Sequence, residues 1–104
     1  MKKKHPPSVS YQEDLLKDLK DHEEAIAYLN AALEESKLGD NESQKILLLA
    51  LKNVAEAQGG VGKVAKKSHL RREILYRILS PHGNPELRNF TALIHGMGLR
   101  LRFC

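Results

Sequence analysis

The run ESQKILLLALKNVAEAQ, residues 42–58, limits the possible folds more than any other stretch. Ile46, Leu47, Ala50, Leu51 and Val54 recur at helical spacing. Leu48 and Leu49 widen the stripe beyond the band that a surface helix needs. The pattern predicts either a central helix packed on two sides or one wall of a groove for a partner. Gly59-Gly60 end it. A chain of 104 residues makes one small domain around such a helix. With 5% aromatic residues and no Trp, that domain has an aliphatic core of modest size.

The flanking segments continue the helical period. DHEEAIAYLNAALEES opens at Asp21, a good N-cap, with Glu24 three residues on as in a capping box. Ala25, Ile26, Leu29, Ala32 and Leu33 form its apolar stripe. In KLGDNE, Gly39 closes that helix and Asp40 or Asn41 caps the next. VGKVAKK and RREILYRILS read as two short helices joined by SHL. After the linker SPHGNP, Asn84 is placed as cap and Pro85 at the first position of PELRNFTALIHGMG, which Gly96 and Gly98 close. Leu99, Leu101 and Phe103 then alternate with Arg100 and Arg102, a short extended pattern that needs something to pair with or pack on. Residues 1–20, with Lys2 to Lys4 and Pro6-Pro7, are expected to be a flexible or loosely docked tail, in which EDLLKDLKD could form one or two helical turns. The expected fold is therefore all-α. About five helices lie within a single domain, residues 21–104, with a helix-turn-helix at about 61–80 and a C-terminal extended segment.

Charge divides the chain. Residues 1–58 carry 8 Lys against 11 acidic residues, a net −3, whereas residues 59–104 carry 9 Lys and Arg against 2 Glu, a net +7. The basic half suits a polyanion; the acidic half suits solvent or a basic partner. Cys104 is the sole cysteine, which rules out a disulfide framework and fits a reducing cytosol. MKKKHPP is basic like the start of a secretory signal, but no apolar stretch follows it, and no run reaches the length of a membrane span. These features lead us to expect a soluble, cytoplasmic protein.

Within VAKKSHLRREILYRILS, small Ala65, the turn at His69 and aliphatic Leu75 have the spacing of a helix-turn-helix, with Val64, Leu70 and Ile78 completing the apolar set. The second helix would present Arg71, Arg72, Glu73, Tyr76 and Arg77 to a DNA major groove, with Lys66, Lys67, Ser68 and His69 beside them. The plainer reading is an ordinary helix pair with a basic surface. Two arginines at a helix N-terminus oppose the helix dipole and occupy a place where Ser, Thr, Asp or Asn is preferred.

These residues carry a resemblance. From DHEEAIAYLNAALEE through LLALKNVAEAQGGVGKVAKK to HLRREILYRILSPHGNPEL and GLRLRF, the chain resembles the HigA-like addiction-module antidote (antitoxin) proteins, whose DNA-binding part is lambda-repressor-like. LYRILSPHGNPEL is the most specific piece. The family's usual version reads Leu-Tyr-(Lys/Arg)-x-Leu-Ser-x-x-Gly-Asn-Pro. The chain departs from the family in having His69 where Gly is usual and Arg71 where a Ser cap is usual. The resemblance implies an antitoxin of a type II toxin–antitoxin module, with operator DNA and a cognate small RNA-cleaving toxin of the HigB/RelE type as partners. It would neutralise the toxin and repress its own operon. A stand-alone helix-turn-helix regulator and a pure interaction adaptor stay open as alternatives.

The remaining assignments are expectations of the same kind. A homodimer is expected, formed through Phe90, Leu93, Leu99, Leu101 and Phe103. Toxin contacts are expected in the acidic half, around Leu48 and Leu49. Glu73 either accepts from a cytosine or pairs with Arg77 four residues on, and the pair is the favoured reading. No catalytic residues, cofactor or metal site is expected. His5, His22, His69, His82 and His95 lack ligand spacing, and GGVGK lacks the spacing of a phosphate loop.

Overall fold

The computed structural model describes residues 9–36 and 39–102. Among them are six helices and no strand: α1 (Val9–Asp18), α2 (His22–Glu35), α3 (Asn41–Ala57), α4 (Val61–Ser68), α5 (Arg72–Ile78) and α6 (Leu87–Gly96). The all-helical class is as expected, and α3 is the central element: α1, α2 and α4 all pack on it. Val54 and Ala55 of α3 are fully buried, together with Val61, Val64, Leu75 and Leu93 from the later helices.

The first half is locally well specified. Asp21 caps α2 by accepting from the N–H groups of Glu23 and Glu24 at 2.9 and 3.3 Å. Asp40 caps α3 by accepting from Ser43 N–H at 2.8 Å. That bond holds the Asp40 carboxyl below its ordinary pKa, because it favours the charged form.

Two expectations are corrected. Residues 9–18, placed in a flexible or loosely docked tail, form α1, and Leu19 behind it is buried. A polar relay helps to hold α1 in place: Gln12 Nε2 donates to Asn53 Oδ1 at 3.1 Å, and Asn53 Nδ2 donates to the Tyr28 hydroxyl at 2.8 Å. The buried Asn53 amide thus joins α1, α2 and α3. Second, α6 begins at Leu87, with Glu86 rather than Asn84 at the cap position. Glu86 has extended φ −65° and ψ 154°, so the helix cannot start at Pro85. The alternating end forms no strand over 99–102, and of the two expected outcomes, pairing or packing, Leu99 shows packing. Leu99 N–H donates to Ile94 O at 3.0 Å as part of the α6 terminus, and its side chain packs on the core. Leu101 is 57% exposed. Phe103 lies outside the described residues.

Candidate nucleic-acid interface

Three helices end in the same way. At the ends of α3, α4 and α6, one N–H reaches back five residues and the preceding one reaches back three. The pairs are Gly60 to Ala55 with Gly59 to Glu56, Leu70 to Ala65 with His69 to Lys66, and Leu99 to Ile94 with Gly98 to His95. This Schellman arrangement needs a left-handed residue at its centre. Gly59 (φ 112°) and Gly98 (φ 74°) supply it without strain; His69 must adopt φ 59° and ψ 34° with a Cβ. His69 is the sole non-glycine residue with positive φ among the described residues.

Three residues separate α4 from α5. Arg71 occupies the N-cap position of α5 in extended conformation, and no side-chain cap bond is made. Glu73 in the first turn is the sole acidic group near that terminus. Leu75 and Ile78 point inward and are buried, whereas Arg71, Arg72, Glu73, Tyr76 and Arg77 are exposed. The Arg72 guanidinium lies 5.7 Å from the Tyr76 ring centroid, within cation–π range. No ion pair joins Glu73 to Arg77, contrary to the favoured expectation; the one salt bridge among the described residues is Lys45–Glu42. Lys66, Lys67 and His69 are exposed on α4 and the turn. Lys63 joins them at i−3 and i−4 from the two lysines; the sequence reading missed it, although that helical spacing is legible. Lys63, Lys66, Lys67, Arg71, Arg72 and Arg77 thus form a basic surface in which, among the described residues, no cation has a carboxylate partner.

Ser68 does not belong to that surface. It is buried, its hydroxyl has no hydrogen-bond partner, and it sits against Gly96 of α6. A Cβ on Gly96 would fall 1.9 Å from Ser68 Oγ and 2.8 Å from its Cα, so α4 and α6 meet where only glycine fits. The motif LYRILSPHGNPEL closes the far side of α5. Ser80 Oγ donates to Arg77 O at 2.8 Å, Gly83 N–H donates to Ser80 O at 2.9 Å, and Gln44 of α3 donates to Gly83 O at 2.7 Å.

The residues assigned to protein partners divide. Leu93 and Leu48 are buried inside the fold and unavailable as surface contacts. Leu49 is 57% exposed, and Ile46, three residues before it on the same side of α3, is also exposed. Phe90, Leu99 and Leu101 come together along an apolar groove between α2 and α6. Ile26 and Leu33 of α2 line the same groove; within the apolar stripe of that helix, Ala25 and Ala32 are the buried members.

Comparison with known proteins places the chain. The profile of a family described as "Probable addiction module antidote protein" matches residues 10–104. The chain belongs to this family. A cognate toxin is the partner that membership implies. The chain is also similar to an uncharacterized protein of Haemophilus influenzae, 28% identical over 89 residues, which cover 86% of this chain and 84% of that one. No solved structure matches it. Among the described residues, no helix is long and apolar enough to cross a membrane.

Proposed function

We propose that the chain is a DNA-binding antitoxin of a type II module, in which α4 and α5 act as a lambda-repressor-like helix-turn-helix. As a HigA-like antidote it neutralises a small RNA-cleaving toxin of the HigB/RelE type and represses its own operon. The observation that carries the DNA reading is the exposed, unpaired basic surface of α4 and α5, with two arginines at an uncapped helix terminus. Phosphates supply the negative charge which that terminus lacks, and a guanine offers O6 and N7 to one guanidinium. Arg72, Tyr76 and Arg77 enter the major groove, while Lys63, Lys66 and Lys67 hold the backbone. A homodimer places two such helices on half-sites about 34 Å apart. The toxin meets the acidic half, where Leu49 and Ile46 are exposed, because a basic RNA-cleaving partner is steered toward carboxylates.

The test is fluorescence anisotropy with the chain's own promoter DNA at two salt concentrations. Binding is expected to weaken steeply with salt, by a log–log slope of about 0.9 per phosphate neutralised. Arg72→Ala is expected to cost about 1–3 kcal/mol and to relax preference at one base pair. Salt-independent binding, or an unchanged Arg72→Ala variant, would overturn the assignment of α5 as the reading helix.

A further inference from the structure

Of Arg71, Arg72 and Arg77, only Arg72 stacks on an aromatic ring among the described residues. Tyr76 lies one helical turn on, and helical side chains lean toward the N-terminus, so its ring comes back over the Arg72 position. The guanidinium carbon stands 5.7 Å from the ring centroid. A second contact comes from α4. A Cβ built on Gly62 would meet the Arg72 stem, 3.8 Å from both Cδ and Nε. Gly62 has no positive φ, unlike Gly59 and Gly60, so its backbone does not call for glycine. Within a helix, glycine lowers stability relative to alanine. What its bare surface leaves is room for the Arg72 stem. Arg72 and Tyr76 are both exposed, so the pair does not build the core.

We propose that Tyr76 and Gly62 are positioning residues for Arg72, which they hold as a preset fork for one guanine. An aromatic ring attracts the face of a guanidinium and leaves its N–H edge free. A carboxylate would occupy that edge, and among the described residues Arg72 has no such partner. A free edge fits two acceptors side by side. Guanine offers O6 and N7, whereas adenine sets its N6 donor beside N7 and turns half of the fork away. A phosphate is also held by an unrestrained lysine acting as a point charge, so a seat serves a base edge rather than the backbone. A side chain ordered in advance loses less freedom on binding. This inference rests on the DNA-binding reading and adds to it which arginine reads a base and what aims it. Arg71, with no ring beneath it, is left to phosphate.

Two measurements on the full chain test the proposal. Without DNA, the ring current of Tyr76 is expected to move the Arg72 Cδ protons upfield in the NMR spectrum, in the parent and in Tyr76→Phe but not in Tyr76→Leu. With duplexes of the chain's own promoter, anisotropy is expected to show Tyr76→Leu and Gly62→Leu binding about two- to tenfold more weakly. Their salt slopes are expected to match the parent, because no charge is removed. Tyr76→Phe is expected to bind as the parent does. Replacing one particular guanine by 7-deazaguanine, which lacks the N7 acceptor, is expected to weaken the parent and leave Arg72→Ala unaffected. In an Arg72→Ala background, Tyr76→Leu and Gly62→Leu are expected to be silent, since both act through Arg72. Four results would overturn the proposal while salt-dependent promoter binding upheld the DNA reading. They are unshifted Cδ protons in the parent, full-strength binding by Tyr76→Leu, a cost of Tyr76→Leu that persists beside Arg72→Ala, and indifference of the parent to every 7-deazaguanine. Weak binding by Tyr76→Phe would do the same, by assigning Tyr76 a contact through its hydroxyl. A parent with shifted protons that binds no promoter DNA would sink the DNA reading, and this inference with it.

Discussion

Helices α2 and α3 begin as isolated helices should, and α5 does not. Asp21 and Asp40 each accept backbone N–H groups at their helix termini, and Gly39 precedes the second with a positive φ. In contrast, α5 begins at Arg71 with no cap bond and follows a turn in which His69 takes a conformation better suited to glycine. The difference is not one of fold, because the ends of α3 and α6 make the same Schellman bonds with Gly59 and Gly98. Local choices that conflict with the structure tend to collect where function requires them. The acidic half is built for stability, and the basic turn gives up local stability; under the proposed function a polyanion completes its surface.

Five variants break or sharpen this contrast. The largest effect is expected at the contact that holds the strained unit in place. Gly96→Ala drives a Cβ into Ser68 and should lower stability by about 3 kcal/mol by overpacking, seen as a lower midpoint in urea unfolding. Next, His69→Gly should raise stability by about 1–2 kcal/mol, because the left-handed penalty disappears. For a domain of this size that is a rise in Tm of about 4–8 °C per kcal/mol. The converse change Gly98→His, at the same place in the α6 terminus, should lower it by a similar amount; equal melts for the two would show that the turn is not strained. Loss of the Asp21 cap in Asp21→Ala should cost about 1 kcal/mol by thermal melting. Ser68→Ala has the smallest effect. Removing a buried hydroxyl without a partner should be neutral or stabilising by under about 1 kcal/mol, and a marked loss of stability would reveal a bond that the fold does not display.

The caps also differ in their response to acid. The folded Asp40 carboxyl has a pKa below its ordinary 3.8, lowered mainly by the bond from Ser43 N–H. The unfolded chain therefore binds that proton more readily, and the contribution of this cap is present above pH 3.8 and is lost as pH falls through the folded value. Asp40→Asn should flatten that part of the acid-unfolding curve. At the start of α5 there is no carboxylate cap to titrate.

Much of this was legible in the sequence where the signal is local. The Asp caps, the glycine stops and the central apolar run of α3 each follow from residues within one turn of one another. The misfits at His69 and Arg71 were equally visible, since a cap or a left-handed residue is a single-position requirement. Long-range placement was not. Docking of α1 depends in part on Gln12, Asn53 and Tyr28, polar residues that carry no periodic signal. The burial of Ser68 follows from Gly96, 28 residues away, and its hydroxyl looked like one more polar group on a basic helix. The apolar stripe of α2 does not say which of its members are buried: Ala25 and Ala32 fill the core and leave Ile26 and Leu33 to the groove.

The central claim is that the α4–α5 turn gives up folding stability for nucleic-acid affinity. It is tested most directly by measuring both quantities on Arg71→Ser. Serine restores the cap, so thermal melting should show a gain of about 1 kcal/mol. The same change removes a guanidinium from the interface, so anisotropy with promoter DNA at low salt should show weaker binding and a shallower salt dependence. A variant that is more stable and binds DNA as tightly as the parent would contradict the account, since Arg71 would then be only a poor cap.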